Sequence, residues 1–252
     1  EGNNFANTSI MPYVSSTVFT LSPGAGLKTV SVKLRNTEGG EITTSRTITH
    51  TDTTCPLTPE RPYKSPSSPS VYYLTPDCTK RPIKNAETYF TWFASWSDVS
   101  VIPLGTLTSI PDDKLFFLPL GPRYRPTYGA LIKTPYDPKV YVLINDTKYW
   151  ITDEAVFTGL NYQSSWIEDV DSRLLDYYAT GSEITDTTQH PPFTLIKYPN
   201  NPKVYRLELD SDGVLTKRWI VNESAFKALK FRGDRIITIP ATTIYPDGPE
   251  LK

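Results

Sequence analysis

The chain has 252 residues and carries 26 basic and 27 acidic side chains, a formal net charge of −1. That balance gives no global field to draw in nucleic acid or an anionic membrane, and no apolar run reaches membrane-spanning length. Twenty-three prolines and sixteen tyrosines against one methionine favour strands and stiff connections over long helices, in a chain long enough for two or more domains.

Residues 1–16 are polar and irregular, and no signal-peptide pattern is read in them. The chain starts at Glu1 without a methionine, the start expected of a processed or excised piece of a longer product. A first strand is expected at residues 18–21, then a turn at 22–26. At residues 28–34, Val30, Val32 and Leu34 alternate with Lys and Ser, the period of a half-buried strand. A second turn at 36–40 leads to a third strand at 42–48. Residues 1–54 thus form one β region, and residues 55–63 a Pro/Thr-rich linker expected to be extended and stiff.

Beyond the linker one phrase is written three times. Lys133, Pro135, Pro138, Val140 and Tyr141 recur as Lys197, Pro199, Pro202, Val204 and Tyr205, and earlier as Lys64, Pro66, Pro69, Val71 and Tyr72. Residues 131–143 and 195–207 agree at nine of thirteen positions. Each phrase is followed by an isoleucine (Ile83, Ile151, Ile220), by Asn85, Asp153 or Asn222 two residues on, and by an aromatic (Tyr89, Phe157, Phe226) six residues after the isoleucine. The gap from tyrosine to isoleucine is 11, 10 and 15 residues, as a hairpin loop of changing length would produce. Three tandem units follow, at residues 64–130, 131–192 and 193–252.

Each unit reads as a short opening strand, a turn through the prolines, the Val-Tyr strand, a return strand and a short helix. Neither proline can donate to a ladder, which places both at strand ends. Asn85, Asp153 and Asn222 are expected N-caps for helices at 86–94, 154–160 and 223–229, with Glu87, Glu154 and Glu223 in the first turns. The repeated aromatics are expected to pack on the hairpins. An apolar segment then follows at 99–102, 166–170 and 235–239, closed by Leu107 and Ile110, Leu174 and Tyr177, or Ile244 and Pro246. Residues 114–128, rich in Phe, Pro and Tyr, fit no element.

Two resemblances attach to these residues. Phe19, Thr20, Leu21, Ser22, Gly24, Gly26, Lys28, Thr29 and Val30, with Asn36 and Gly39, resemble the last strands of bacterial immunoglobulin-like domains over residues 15–54. A full sandwich needs roughly 100 residues, so the missing strands would precede Glu1 or come from another copy. Residues 62–250 look like a repeat found in tandem in bacterial cell-surface and secreted proteins, carried by Pro69, Val71, Tyr72, Lys80, Arg81 and Ile83. Its second copy is Pro138, Val140, Tyr141, Lys148 and Ile151, and its third Pro202, Val204, Tyr205, Lys217, Arg218 and Ile220. Tyr149 replaces the Arg of that pattern and Pro82 its Trp. The resemblance implies an extracellular, envelope-attached location and no catalytic residues. Cys55 and Cys78 are either two buried thiols or a disulfide tying the linker to the first hairpin. The surface-protein features favour the disulfide.

No motif points to catalysis or to a cofactor. His50 and His190 stand 140 residues apart, outside any Cys/His cluster, and there is no phosphate loop or nucleophile elbow. Asp210, Asp212 and Gly213 resemble the start of a calcium loop, but Val221 stands where its last acidic ligand belongs, and a hairpin turn is the better reading. Asp112 and Asp113, or Asp169 and Asp171, could also hold a cation between units, though solvated turns are the default. Sequons at Asn7, Asn145 and Asn222 are weak signals. Of the aromatics, the unrepeated Trp92, Trp96, Tyr124 and Tyr128 form the candidate contact surface. The fold expected is mostly β with short helices: an immunoglobulin-like β-sandwich portion, then three hairpin-plus-helix repeats. The function expected is a non-enzymatic structural protein of a cell surface, self-assembling as an extracellular filament or surface-layer subunit, so that removing residues 1–16 abolishes assembly. A module binding envelope glycan is the alternative, and a carboxylate-dependent hydrolase a distant third.

Overall fold

The structure is a computed structural model that describes residues 1, 2, 5, 10–14, 17, 19–22, 26–50 and 55–252. It is a β-rich α+β fold with short helices. Asn7, Val18, turn residues 23–25 and residues 51–54 at the end of the β region lie outside the described residues.

Gly26–Arg35 (β1) and Glu41–His50 (β2) form an antiparallel ribbon, in register from Gly26 opposite His50 to Arg35 opposite Glu41. Its turn is held by the Asn36 side chain, whose Oδ1 accepts from the amides of Glu38 (3.1 Å) and Gly40 (2.6 Å), while Gly39 takes the positive φ of 86° that favours glycine. The alternation noted above puts Val30, Val32, Leu34, Ile42 and Ile48 on one face, with Lys28, Thr44 and Arg46 among them. Thr29, Ser31, Lys33, Thr43, Ser45 and Thr47 occupy the other. The strand expected at residues 18–21 does not form among its described residues: Phe19, Thr20 and Leu21 are outside any strand, and the next amide, Ser22, donates to the Glu1 carboxylate.

The residues expected to bridge as a linker are instead part of the first sheet. Cys55 and Cys78 form a disulfide, the Glu60 amide donates to Leu74 O (2.7 Å) and the Tyr63 hydroxyl to Thr58 O (3.0 Å). Pro62–Lys64 (β3), Tyr72–Leu74 (β4) and Lys80–Pro82 (β5) make an antiparallel meander. Helix Ala86–Phe90 (α1) and a 3-10 turn at Trp96–Asp98 then carry the chain to Ser100–Val101 (β6), parallel to β3. Leu104–Ser109 (α2) follows.

The second sheet repeats that route with longer strands. Ala130–Lys133 (β7), Val140–Ile144 (β8) and Thr147–Ile151 (β9) form the meander. Glu154–Gly159 (α3) and the 3-10 turn Ser164–Trp166 lead to Glu168–Asp169 (β10), parallel to β7. Ser172–Tyr177 (α4) then brings Ala179–Thr180 (β11) alongside β9. In the third sheet, Leu195–Lys197 (β12), Val204–Leu209 (β13) and Leu215–Trp219 (β14) are followed by Glu223–Ala228 (α5), the 3-10 turn Gly233–Arg235 and Ile236–Thr238 (β15), parallel to β12. The strand orders β5-β4-β3-β6 and β14-β13-β12-β15 are the same, and the second sheet adds β11 at its far edge.

Local chemistry explains why the triple phrase folds this way. The residue before each second proline turns the chain by accepting the amide two positions on: Ser68 from Ser70 (3.2 Å), Asp137 from Lys139 (3.0 Å) and Asn201 from Lys203 (2.9 Å). Asn85, Asp153 and Asn222 cap their helices, accepting from Thr88 (2.8 Å), Val156 (2.9 Å) and Ala225 (2.8 Å). Asp153→Ala should therefore cost about 1 kcal/mol in urea unfolding, with Asp153→Asn close to wild type; equal losses in both variants would mean that the cap bond is not the cause. The first helix is shorter than the 86–94 expected, because Thr91 ends it with its hydroxyl on Thr88 O (2.6 Å).

The closing residues are displaced by one from expectation in two sheets. Tyr177 and Ile244 are exposed, and their neighbours Tyr178 and Tyr245 are buried instead. Tyr177 is the last residue of α4 and Ile244 lies outside any helix or strand, so no strand alternation fixes which residue turns inward. The second and third sheets share their interior: Leu131, Val142, Ile151 and Phe157 pack in one cluster with Ile196, Leu207 and Ile237. The first sheet has its own small core of Tyr63, Leu74, Cys78, Leu107 and Ile110.

Candidate functional site

The four unrepeated aromatics do not make one surface, which corrects the expectation for them. Tyr124 and Tyr128 are interior. Trp92 is half-buried, with its indole donating to Pro119 O (2.7 Å), and Trp96 alone is exposed. The reason is the segment 114–128, which fits no element in the sequence but straps the first sheet to the second. Leu118 donates to Pro82 O (3.1 Å), Gly121 to the Thr91 hydroxyl (2.7 Å), and Leu120 bridges to Val170.

Where that strap ends, Glu168 gathers a buried polar cluster. Its carboxylate accepts from the hydroxyls of Tyr124 and Tyr128 on the strap. It also takes Arg232 Nη1 (2.7 Å) and Arg235 Nη2 (3.3 Å) from the third sheet. The glutamate side chain is 13% exposed and that of Arg235 9%. Burial, then the Glu168 charge, pushes the Tyr124 hydroxyl well above the ordinary tyrosine range, and Tyr128 shifts the same way for the same causes. This cluster joins three segments and keeps its tyrosines protonated as donors.

The lysine of the recurring pattern has a role that its sequence position does not announce. Lys148 Nζ donates to Leu175 O (2.6 Å) and Tyr178 O (2.9 Å), Lys217 Nζ to Tyr245 O (2.7 Å), and Lys80 Nζ to Ile110 O. In each sheet the third strand thereby holds the segment that trails the unit. Burial pulls the Lys148 ammonium below the usual lysine range. Gly181 and Gly248 make room for that trailing segment, since a Cβ would lie 2.5 Å from the Tyr149 ring or 2.6 Å from the Thr216 hydroxyl.

Two open grooves stand at equivalent places. In the second sheet a groove of about 430 Å³ has Val140, Ile151, Phe157 and Ile167 in its lining, with Trp150 as a wall and Ser164 at the far side. In the third, Val204, Ile220, Phe226 and Ile236 line one of about 410 Å³ beside Trp219. A lysine lies over each indole, Lys139 at 4.5 Å and Lys203 at 4.2 Å, and an acidic residue, Glu154 or Glu223, stands at the helix end. Trp150 and Trp219 are half-buried, so the repeated aromatics are partly core and partly groove. Tyr89, Phe157 and Tyr205 are buried, and Tyr72, Tyr141 and Phe226 half-buried. A wider cleft of about 860 Å³ lies between the second and third sheets, lined in part by Tyr149, Glu183, His190, Arg206 and Glu208.

The carboxylates singled out as cation ligands are engaged elsewhere. Asp210 accepts the amides of Asp212 (2.9 Å) and Val214 (2.8 Å) in the β13–β14 turn. Asp112 pairs with Lys80, Asp113 with Arg81, Asp169 with Lys133, and Asp171 with Arg173. Among the described residues no group of three His, Cys, Asp or Glu is placed to hold a metal ion. His190 is buried, its amide donating to the Tyr245 hydroxyl (3.1 Å), and burial lowers its imidazole pKa. Asn145 sits in a two-residue turn with φ 53°, and Asn222 is occupied as a cap. No helix among the described residues is long and apolar enough to cross a membrane.

No protein-family model and no curated protein matches the chain. Among solved structures, it is similar to a chain of the periplasmic assembly from the ESX-5 inner membrane complex, at 13% identity over 80% of this chain and 64% of that one, with a TM-score of 0.20. It is also similar to a chain of an intact ESX-5 inner membrane complex, at 12% identity over 77% and 55%, again with a TM-score of 0.20. The chain spans less than two thirds of either, and overlap at that level carries no functional argument.

Proposed function

We propose that this chain is a non-enzymatic structural protein of a bacterial cell surface, an immunoglobulin-like portion followed by three tandem units, which self-assembles as an extracellular filament or surface-layer subunit. The observation that carries the reading is the β1–β2 ribbon. Val32, Leu34, Ile42 and Ile48 are 44–66% exposed along one face. A two-stranded ribbon is marginal in water by itself, and an apolar face of this kind is stabilised when another sheet covers it or a strand adds to its edge. The missing part of a sandwich, supplied by a neighbouring subunit, is such a cover.

Two further features support the reading. The Cys55–Cys78 disulfide suits an oxidising compartment outside the cytoplasm. The strap, the Glu168 cluster and the lysine clamps stiffen the unit array, as a load-carrying element requires. The surface offered for the glycan-binding alternative is reduced to exposed Trp96 and half-buried Trp92, since Tyr124 and Tyr128 are interior. Light scattering at rising concentration, with electron microscopy of the same samples, tests the proposal. Ordered fibres or lattices are expected from the full chain, and monomers from a variant carrying Val32→Asp and Ile42→Asp. A full chain that stays monomeric throughout would refute self-assembly.

A further inference from the structure

We infer that the grooves of the second and third sheets are sockets for an aromatic side chain from a second copy of this chain, and that the plug is the stretch of residues 10–14, centred on Tyr13. The inference rests on the self-assembly reading and names its joint.

The first sheet shows what fills such a groove. Each sheet has a 3-10 turn after its helix, and the first residue of that turn is Trp96, Ser164 or Gly233. Trp96 stacks on Tyr89, the helix aromatic of its own sheet, with ring centroids 4.0 Å apart and planes at 20°, and Phe90 meets the indole edge-on at 5.3 Å. Tyr89 is fully buried as a result, at 0% exposure. In the second sheet Ser164 stands at that position and lines the open groove beside Phe157, and in the third the position is Gly233 and a groove beside Phe226 is open. In both, one face of the helix aromatic is already met by a ring of its own sheet, Tyr162 at 5.7 Å or Phe231 at 5.6 Å, and the groove lies on the side left uncovered. The indole that stacks on the first sheet's helix aromatic thus has no counterpart in the other two sheets, whose grooves keep Phe157 or Phe226 in an open lining. An indole or phenol ring suits the floor of such a socket because stacked or edge-on rings gain beyond their buried area.

The same chain carries a matching plug. Ile10, Met11, Tyr13 and Val14 are 81%, 63%, 80% and 53% exposed, an uncharged apolar run interrupted only by Pro12. Its exposure shows that the run is not seated in the sockets of its own copy. Pro12 restricts the backbone next to Tyr13 and so lowers the entropy lost on docking. A plug at one end of the chain and sockets at the other make a heterologous contact, the kind that builds open polymers when its rotation does not close.

The test uses the full chain and a fluorescein-labelled synthetic peptide of residues 8–16, followed by anisotropy. Saturable binding is expected, about tenfold weaker or worse for the peptide carrying Tyr13→Ser. A full chain with Ser164→Trp and Gly233→Trp, which fills both sockets as Trp96 fills the first, should lose peptide binding. Ser164 is exposed, and a Cβ at Gly233 meets nothing within 4 Å, so the variant has room to fold. The Tyr13→Ser arm on the unmodified chain reads the same contact without it. Peptide binding unchanged by either substitution, or no peptide binding at all, overturns the sockets even where the full chain forms fibres through its ribbon. Tyr13-dependent peptide binding with a full chain that associates only into closed, small oligomers upholds the sockets and refutes the filament reading instead, whereas a full chain that stays monomeric overturns the second-copy plug as well. Glycan binding to the grooves without peptide binding also overturns the inference.

Discussion

Glu168→Ala is expected to lower the stability of the block formed by the second and third sheets by about 3–5 kcal/mol, the loss typical when one partner of a buried charge cluster is removed. The carboxylate is the common acceptor for two tyrosine hydroxyls and two guanidinium groups. Without it the Arg235 guanidinium, whose side chain is 9% exposed, stays buried with only the longer contact to half-exposed Asp234 (3.7 Å), and the strap loses both of its tyrosine anchors to β10. Urea unfolding followed by tryptophan fluorescence reads the effect, because Trp166 lies 5.7 Å from the Arg235 guanidinium. A loss below about 1 kcal/mol, the level of an exposed ion pair, would show the cluster to be dispensable. The same cluster sets an alkaline limit. The Tyr124 and Tyr128 pKa values are raised in the folded state, so their contribution is fully present below the ordinary tyrosine value near 10 and is lost as pH rises through the raised values.

The second large effect concerns the first sheet alone. Cys55 and Cys78 are 23 residues apart, and the chain-entropy estimate for a closed loop of that size is about 3 kcal/mol. The first sheet's core cluster is the smallest, with five buried residues of which Cys78 is one. The other two sheets share larger clusters that contain neither cysteine. Replacing both cysteines by serine, or reducing the chain, should therefore melt the first sheet separately. Calorimetry should show a low-temperature transition splitting from the main one. A single transition at an unchanged temperature would contradict this division of the core.

How much of this was legible in the sequence depends on whether a residue's partner lies near it in the chain. The turn before Val140 and the caps at Asn85, Asp153 and Asn222 involve partners two or three residues away, and the sequence places them correctly. Strand Lys28–Leu34 and its neighbour at 42–48 could be read from alternation, because each side chain's face is fixed by its own strand. Tyr124 and Tyr128 could not be placed, since they sit in an irregular strap whose acceptor, Glu168, lies at least 40 residues on. The lysines Lys80, Lys148 and Lys217 recur visibly, yet their partners are carbonyls of the trailing segments, which any residue supplies. The grooves were hidden for a different reason. In the second sheet the groove opens where Ser164 stands in the place of Trp96, and an absent side chain leaves no mark in a pattern of recurring letters.

The parallel pairing of the outer strand with the opening strand has a mechanical consequence. In each sheet the last strand, β6, β10 or β15, lies beside the first, β3, β7 or β12, and runs the same way. Tension applied to the two ends of a unit draws its first strand backward and its last strand forward. Once the trailing segment has been drawn off, the hydrogen bonds between these neighbours are loaded side by side and must yield together. A unit wired in this way resists pulling as a lap joint does, whereas a hairpin pulled from its open end gives one bond at a time.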